Sequence, residues 1–470
     1  MRRRHRAAGL VATGFLLFVV LLGRPRPGLS QACSLQTNFH PSLNATATVY
    51  TVVALTNGQV LIGGAFTSAG QFPAANVARL NADGSPDTIF NPGPAVDRGY
   101  VTALAVQPDG RIVVGGSFYS SVGVAQAYLT RLNADGSVDA AFDQNIFVDG
   151  TVNALLLQGD GKIVLGGSFS IVNFYPRRTV ARLNADGTLD TSFDACIAST
   201  AGAGATALAL DSTGRIFAGG AFTFSTGLAR DGVARLGTNG DVDTAYDPQP
   251  GVNPGATVYA IALRDDGKIL LGGDFGTFQS SQRRGLVQLT DSGAIDAEFE
   301  PGTGLDAGGT VYALALQNDG KVVVAGDFPS YNGQPRNRLA RIHPHGGLDV
   351  TCEPSLGPDN AVAALAMQSD GRILVAGRFG SFNGAARRAL ARLRGEPAPC
   401  RLSPPNRLGD GTWQFTLFGE DQARYGIEIS PNLVDWQSLT NLTAMGSATP
   451  FIDSNTNSPP GRFYRGVSLP

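Results

Sequence analysis

Charge is scarce in this chain, and it is absent from the segments where a catalytic channel would need it. Charged residues make up only 16% of the 470 positions, and none falls in the apolar runs that open the repeated units. Four His and four Cys are scattered so that no paired zinc motif can be written. No Gly-x-Ser-x-Gly elbow or phosphate-binding glycine loop occurs, which excludes the common hydrolase and nucleotide signatures. No stretch keeps the 3.6-residue apolar period of an amphipathic helix. No run beyond residue 23 is long and apolar enough to cross a bilayer as a helix.

What is present is a repeat. A Gly-Gly-x-Phe or Ala-Gly-x-Phe anchor places Phe at 66, 118, 169, 222, 275, 328 and 379, at intervals of 51 to 53 residues. Each unit reads as an apolar run such as "TVYAIAL", a turn such as "RDDG", a second run such as "KILLGGDF", a longer loop, a third run such as "LARLN" and a fourth short segment ending in Phe. Apolar, β-branched runs bounded by Asp-Gly and Asn-Gly are strands and hairpin turns. Four strands in about fifty residues fit a β-propeller blade, and seven units give seven blades. The 61 Gly and 27 Pro suit a fold of strands and turns.

The ends predict how the ring closes. The seventh unit has its third strand at Arg387 to Leu393 and no fourth, while "SLQTNFHP" at Ser34 to Pro41 aligns without a gap on "SPDTIFNP" at Ser85 to Pro92. The N-terminal segment is therefore expected as the outer strand of the last blade, which would remove exposed edges. The domain expectation is a leader at 1–32, a propeller at 33–395, a Pro-rich linker at 396–405 and a small β-sandwich at 406–470. Fold class is all-β.

The leader is a basic "MRRRHR" followed by an apolar stretch to Gly23, with small residues at Ser30 and Ala32. This predicts export, to a secreted or cell-surface location. An uncleaved N-terminal anchor stays open. Loss of residues 1–32 removes six Arg and moves the formal charge from −2 to about −8. An acidic protein is a poor partner for nucleic acid or an anionic membrane surface. Export also permits disulfides. Cys33 precedes the closing strand and Cys400 follows the last blade, so ring closure nominates Cys33 and Cys400 as a pair. Cys196 and Cys352 are expected as packed or free thiols.

The phrase "RLNADGSVD" at Arg131 to Asp139 looks like a calcium loop with one fault. Oxygen-bearing residues stand at the third, fifth, seventh and ninth places, but Arg131 stands at the first, where a guanidinium repels a divalent cation. We read it as a hairpin turn, with Asn and Asp bonding their own backbone and Gly at positive φ. His343 and His345 replace two positions of the same turn, so neither calcium nor a transition metal is expected, and no other cofactor.

The units "VYALALQNDGKVVVAGDF" and "LARLNADG" closely resemble the delta-60 repeats of exported bacterial proteins, over roughly residues 34 to 395. The resemblance implies a β-propeller and brings no catalytic residue set. The tail pattern "YGIEISPNLVDWQSL", with "RFYRGV", is loosely similar to fibronectin-type C-terminal modules of exported bacterial proteins. Its aromatics Trp413, Trp436 and Tyr425 form either a carbohydrate platform or, as we expect in so small a module, core.

Function then turns on binding. The seven inner runs, from "TVYTVVAL" to "AVAALAM", contain no Asp, Glu, His, Lys or Arg, so the channel lacks the groups for acid–base catalysis. Loop acids Asp97, Asp149, Asp306 and Asp359 remain as candidates for one mouth. The connections after the second and fourth strands are long and varied, which is where recognition concentrates on a rigid scaffold. Arg177-Arg178, Arg283-Arg284 and Arg387-Arg388 stand just before third strands, placed either to meet ligand carboxylates or to pair with blade acids such as Asp274 and Asp327. The reading is an exported, monomeric, non-catalytic binding protein for a polysaccharide or protein ligand. A secreted polysaccharide-active enzyme and a structural cell-envelope component are the alternatives.

Overall fold

The computed structural model describes residues 32–119, 127–143, 146–195, 197, 204–223, 230–352 and 354–395, and, further on, 401–404, 406–410, 412–418, 424–432, 434–443, 448–454 and 463–468. The expected leader, Cys196 and Cys400 lie outside them. The chain divides into two compact units after residue 395.

The first unit is built from seven three-stranded antiparallel sheets. Blade 5 is representative: Val258–Leu263 pairs with Ile269–Gly273, which pairs with Leu286–Leu289. The middle strand is buried along its whole length, which is why its sequence is continuously apolar instead of alternating. First strands of neighbouring blades pack together, and that of blade 7, Val362–Met367, meets that of blade 1, Thr48–Ala54, so the ring is closed. Core clusters form between blades. Val113, Leu129 and Phe142 of blade 2 share one with Val152, Ile163, Phe169 and Ala181 of blade 3. No blade completes a core alone, so the blades stabilise one another.

The repeated Gly-Gly serves this packing. A Cβ on Gly63 would lie 2.6 Å from Cγ1 of Val101 in the next blade, and one on Gly64 would strike the carbonyl of Thr48. A side chain at either position would push strands apart.

The fourth strand is less than the sequence predicts. In every blade it is a single β-bridge, such as Leu132 with Val138 or Leu289 with Ile295, after which the chain turns away. Blade 7 receives its bridge from the N-terminus: Leu35 pairs with Leu393, and Gln36 N donates to Arg392 O at 2.8 Å.

The loop after the second strand, in contrast, is more ordered than predicted. In blades 1, 3, 5, 6 and 7 it is a two-residue-stranded hairpin, such as Thr277–Phe278 with Ser281–Gln282. Tip residues such as Asn332 and Gly333 both have positive φ, the conformation of a type I′ turn. These hairpins arch back along the third strand, because Asn173 Nδ2 reaches Gly187 O at 3.2 Å and Tyr331 Oη reaches Gly346 O at 2.7 Å.

The disulfide corrects the expected pairing. Cys33 is bonded to Cys352, across 319 residues, and not to Cys400. Alignment of the closing strand places Cys33 in the column of the turn glycines, and it shares their left-handed backbone at φ 63°. Cys352 occupies the column of Phe142 and Phe193. Those columns touch between blades, as where a Cβ on Gly187 would lie 3.0 Å from the Phe142 ring. Blade 7 has no covalent hairpin there, and the disulfide stands in for that link.

The second unit has two antiparallel sheets, one centred on Trp413–Phe418 and one on Arg424–Ser430. They share a buried cluster of Leu402, Phe415, Leu417, Tyr425, Ile427 and Phe451. Tyr425 is core. Trp413 is half-buried against it, and Trp436 is half-buried under the Arg465 guanidinium, 4.1 Å from its ring.

Candidate functional site

The calcium-like phrase proves to be a clamp. Arg131 Nε donates to Asp139 Oδ2 at 2.9 Å, so the first and ninth residues of the phrase hold each other. Asp135 Oδ1 accepts from Ser137 N and Oγ at 2.9 and 2.7 Å, which consumes that oxygen within the turn. The same guanidinium lies 4.4 Å from the Phe142 ring and donates to Ala185 O in the next blade. Arg79, Arg182, Arg235 and Arg392 repeat the arrangement, donating to Ala134, Thr238, Asp291 and Ala82. His343 and His345 keep the turn geometry, with Gly346 N donating to His343 O.

In blades 2 to 6 a second cation joins the acid from the residue after the first hairpin turn, and in blade 1 Gln59 takes that place. Lys162 Nζ lies 2.9 Å from Asp190, and Lys321 Nζ 3.4 Å from Asp349. In blade 6 Arg341 and Asp349 are fully buried as a pair 2.8 Å apart. Burial works to raise the Asp349 pKa, but hydrogen bonds from Thr351 and the charges of Arg341 and Lys321 hold it at about 2. These groups are structural, and their charges are satisfied.

Each first strand carries one bulged residue. The register of every first strand slips at the same place, leaving Tyr50, Thr102, Asn153, Thr206, Tyr259, Tyr312 and Ala363 out of the ladder. Thr102 Oγ1 donates to Val152 O at 2.7 Å and Asn153 Nδ2 to Ala205 O at 3.3 Å, so these bulges tie neighbouring blades together. Tyr259 and Tyr312 meet edge to face at 5.2 Å. Burial pushes the Tyr259 hydroxyl pKa up.

The six arginines singled out by sequence divide into two sets. Arg177, Arg283 and Arg387 hold equivalent positions, each bonding through Nη1 to the carbonyl just before it, in Pro176, Gln282 and Ala386. Arg336 does the same with Pro335, and Arg230 of blade 4 is buried with Nη1 on Asp243 O at 2.9 Å. Sequence reading missed these two because they are not followed by a second Arg. Arg177 lies 3.4 Å from Asp194, while Asp327 pairs with Arg338. Arg178 and Arg388 are exposed. The pairs stand on alternate blades, and no described interaction joins one pair to another.

Arg284 differs from the other five. It lines a cleft of about 400 Å³ with Asp274, Thr277, Ser280, Gln282 and Asp306, where the blade 5 hairpin meets the segment entering blade 6. Its guanidinium has no hydrogen bond or ion pair among the described residues. Asp274 is anchored by accepting from Thr257 N at 2.6 Å. Asp306 is exposed, and its carboxylate is uncommitted. A smaller hollow lined by Arg283, Arg284 and 301–304 adjoins it. Of the remaining loop acids, Asp149 and Asp359 are spent on capping hairpins, each accepting from the backbone N–H of Ser170 or Ser381. One equivalent position, just after the second strand, is neutral in blades 1 to 4 (Ala65, Ser117, Ser168, Ala221) and charged in blades 5 to 7 (Asp274, Asp327, Arg378). Polarity at this end is concentrated in one arc, which the sequence signals once the columns are aligned.

The model of the family described as a β-propeller domain of unknown function, DUF5122, matches residues 55–90, 107–142, 158–193, 212–246, 264–299, 317–351 and 368–395. No curated protein matches the chain. Among solved structures, an extracellular domain from B. thetaiotaomicron is 15% identical, with 86% of this chain and 47% of that one covered and a TM-score of 0.47. The chain thus spans about half the length of that protein. YCF48 from Cyanidioschyzon merolae is 11% identical over 75% of this chain and 97% of that one, at a TM-score of 0.37. A gluconolactonase from Xanthomonas campestris is 12% identical over 76% and 97%, at 0.31. At these TM-scores the likenesses carry no argument about this chain.

Proposed function

The chain belongs to the DUF5122 β-propeller family, and on that scaffold we propose an exported, non-catalytic binding protein whose ligand occupies the Arg284 cleft. The observation that carries this reading is a guanidinium without a hydrogen bond or ion pair among the described residues that lines a cleft with hydroxyl and amide groups, whereas its column-mates Arg178 and Arg388 are exposed. A planar guanidinium binds carboxylate or hydroxyl oxygens through two parallel N–H groups. The Cys33–Cys352 disulfide suits an oxidising compartment and supports export. The neutral inner strands support a role without catalysis.

The test is binding of the purified protein to an array of glycans and cell-wall polymers, with Arg284→Ala beside it. Selective binding that falls at least tenfold in the variant is expected. Binding that Arg284→Ala leaves untouched would remove the cleft from the account. A polysaccharide-active enzyme is the second reading, because Asp274 and Asp306 line the same cleft. Shortened glycan in the wells, abolished by Asp306→Asn, would favour it.

A further inference from the structure

Blade 3 carries a feature that no other described blade has. Phe174, at the tip of its hairpin, is 82% exposed and stacks on Phe147 of the incoming segment, with ring centroids 4.9 Å apart and planes within 3°. Tyr175 beside it is 53% exposed, and Ile171 is 38% exposed. Phe174 also has φ 66°, a left-handed backbone that is uncommon for a bulky residue.

Equivalent positions follow from a shared hydrogen bond, in which the first tip residue donates its N–H to the incoming segment. Asn173 donates to Phe147, Gln279 to Gly251, Asn332 to Gly304, Asn383 to Gly357 and Gly70 to Ser42. Where blade 3 has Phe147, the others have Gly or Ser. Where it has Phe174, they have Ser280, Gly333, Gly384 and Gln71. Two positions in contact are thus aromatic together and small or polar elsewhere. The fold does not require the pair, since four blades form the same hairpin without it.

The pair is rigidly mounted. Phe147 N donates to Asn173 Oδ1 at 2.7 Å, Asn173 Nδ2 donates to Gly187 O at 3.2 Å, and the Asp149 carboxylate accepts from Ser170 N and Ile171 N at 2.8 Å each. A preorganised aromatic plane loses little entropy on binding.

We propose that the Phe147–Phe174 ridge is a carbohydrate-stacking site, which takes the apolar C–H face of pyranose rings in a polysaccharide. Taking about 200 Å² for each large side chain, the exposed part of the patch is roughly 400 Å². That is half of the roughly 800 Å² per partner that a stable protein interface needs, and the ridge is a flat plane instead of a pocket for a side-chain anchor. A bilayer is disfavoured by the negative net charge. Sugar rings fit the shape: they are flat, apolar on one face, and fringed with hydroxyls that the Tyr175 hydroxyl and the exposed Arg178 are placed to bond.

The test is retardation of the purified protein in native gels cast with soluble β-1,3-glucan, hydroxyethylcellulose, β-1,4-xylan or glycol chitin. The variants are Phe147→Gly/Phe174→Ser, which restores what other blades carry, and Phe174→Ser alone. At least one polymer is expected to retard the wild type, and the double variant to lose tenfold or more in association constant at an unchanged or higher melting temperature. The single variant is expected to lose most of that binding, and Ile89→Ser, at an exposed apolar residue outside the ridge, to keep it. No retardation by any of the four polymers overturns the proposal, as does retardation that both Phe variants retain. Ridge-dependent pelleting with phosphatidylcholine vesicles, or ridge-dependent dimers in light scattering, would also overturn it in favour of lipid or a second copy. Binding lost only in Arg284→Ala would overturn the ridge and leave the cleft standing.

Discussion

Arg182 and Arg284 put the same guanidinium to opposite use. Arg182 belongs to the belt of clamps: it pairs with Asp190 at 2.8 Å, lies 4.6 Å from the Phe193 ring and reaches Thr238 O in the next blade at 2.6 Å. Four of the seven blades carry this full set of contacts, and in blade 7 Arg392 keeps it with Gln36 in the place of the Asp. Arg284 stands in a cleft and is repeated nowhere in that role. The difference separates what the repeat maintains from what it leaves free: groups that recur with the same contacts hold blades together, while Arg284, which shares its column with Arg178 and Arg388 but lines a cleft, and Phe174, which departs from its column, are available to a ligand.

Removing the disulfide should weaken the belt most. Cys33→Ser/Cys352→Ser frees a loop of 319 residues, and the chain-entropy argument gives a loss of about 5 kcal/mol at its upper end. Thermal melts of wild type and variant, each with and without reductant, check this. A variant that melts with the wild type would mean that strand pairing alone closes the ring.

Arg341→Ala comes next, at about 3–5 kcal/mol, because it leaves Asp349 buried with only Lys321 for a cation. The pair also makes stability pH-dependent. Asp349 has its pKa lowered to about 2, below the ordinary aspartate range, so its contribution is present above the unfolded value and is lost as pH falls from about 4 through 2. Urea midpoints measured between pH 5 and 2 should fall more gently in Arg341→Ala than in the wild type. Parallel slopes would detach the acid response from this pair.

Smaller effects belong to the bulges and the cleft. Thr206→Val removes the hydroxyl that bonds Val258 O across blades and is expected to cost about 1 kcal/mol. Arg284→Ala is expected to stay within about 0.5 kcal/mol of the wild type, as a surface group without a partner does. A large loss of stability there would make Arg284 one more strut and erase the contrast with Arg182.

Much of the belt was legible in the sequence. The period, the Asp-Gly turns and the gapless alignment of Ser34 to Pro41 led to seven blades and to the strand that closes the ring, because each depends on local pattern. The reading of "RLNADGSVD" as a turn rested on Arg131 in the leading place, and Arg131 proves to be the partner of Asp139. The disulfide was misassigned because topology brings several cysteines near the closure. Only the columns show that Cys33 replaces a turn glycine and Cys352 the phenylalanine it touches. The cleft was half legible: the Arg pairs drew attention to Arg284, but sequence alone does not distinguish it from Arg283, one residue away. The ridge was missed because Phe147 and Phe174 are ordinary residues until the hairpin stacks them.

The most direct test sets the cleft guanidinium against a recurring strut of the belt. Polymer binding and melting temperature would be measured together for Arg284→Ala and Arg182→Ala. The account predicts that Arg284→Ala loses binding at least tenfold and melts like the wild type, while Arg182→Ala melts several degrees lower and, at temperatures where it is folded, binds normally. Binding lost in Arg182→Ala and kept in Arg284→Ala would contradict it.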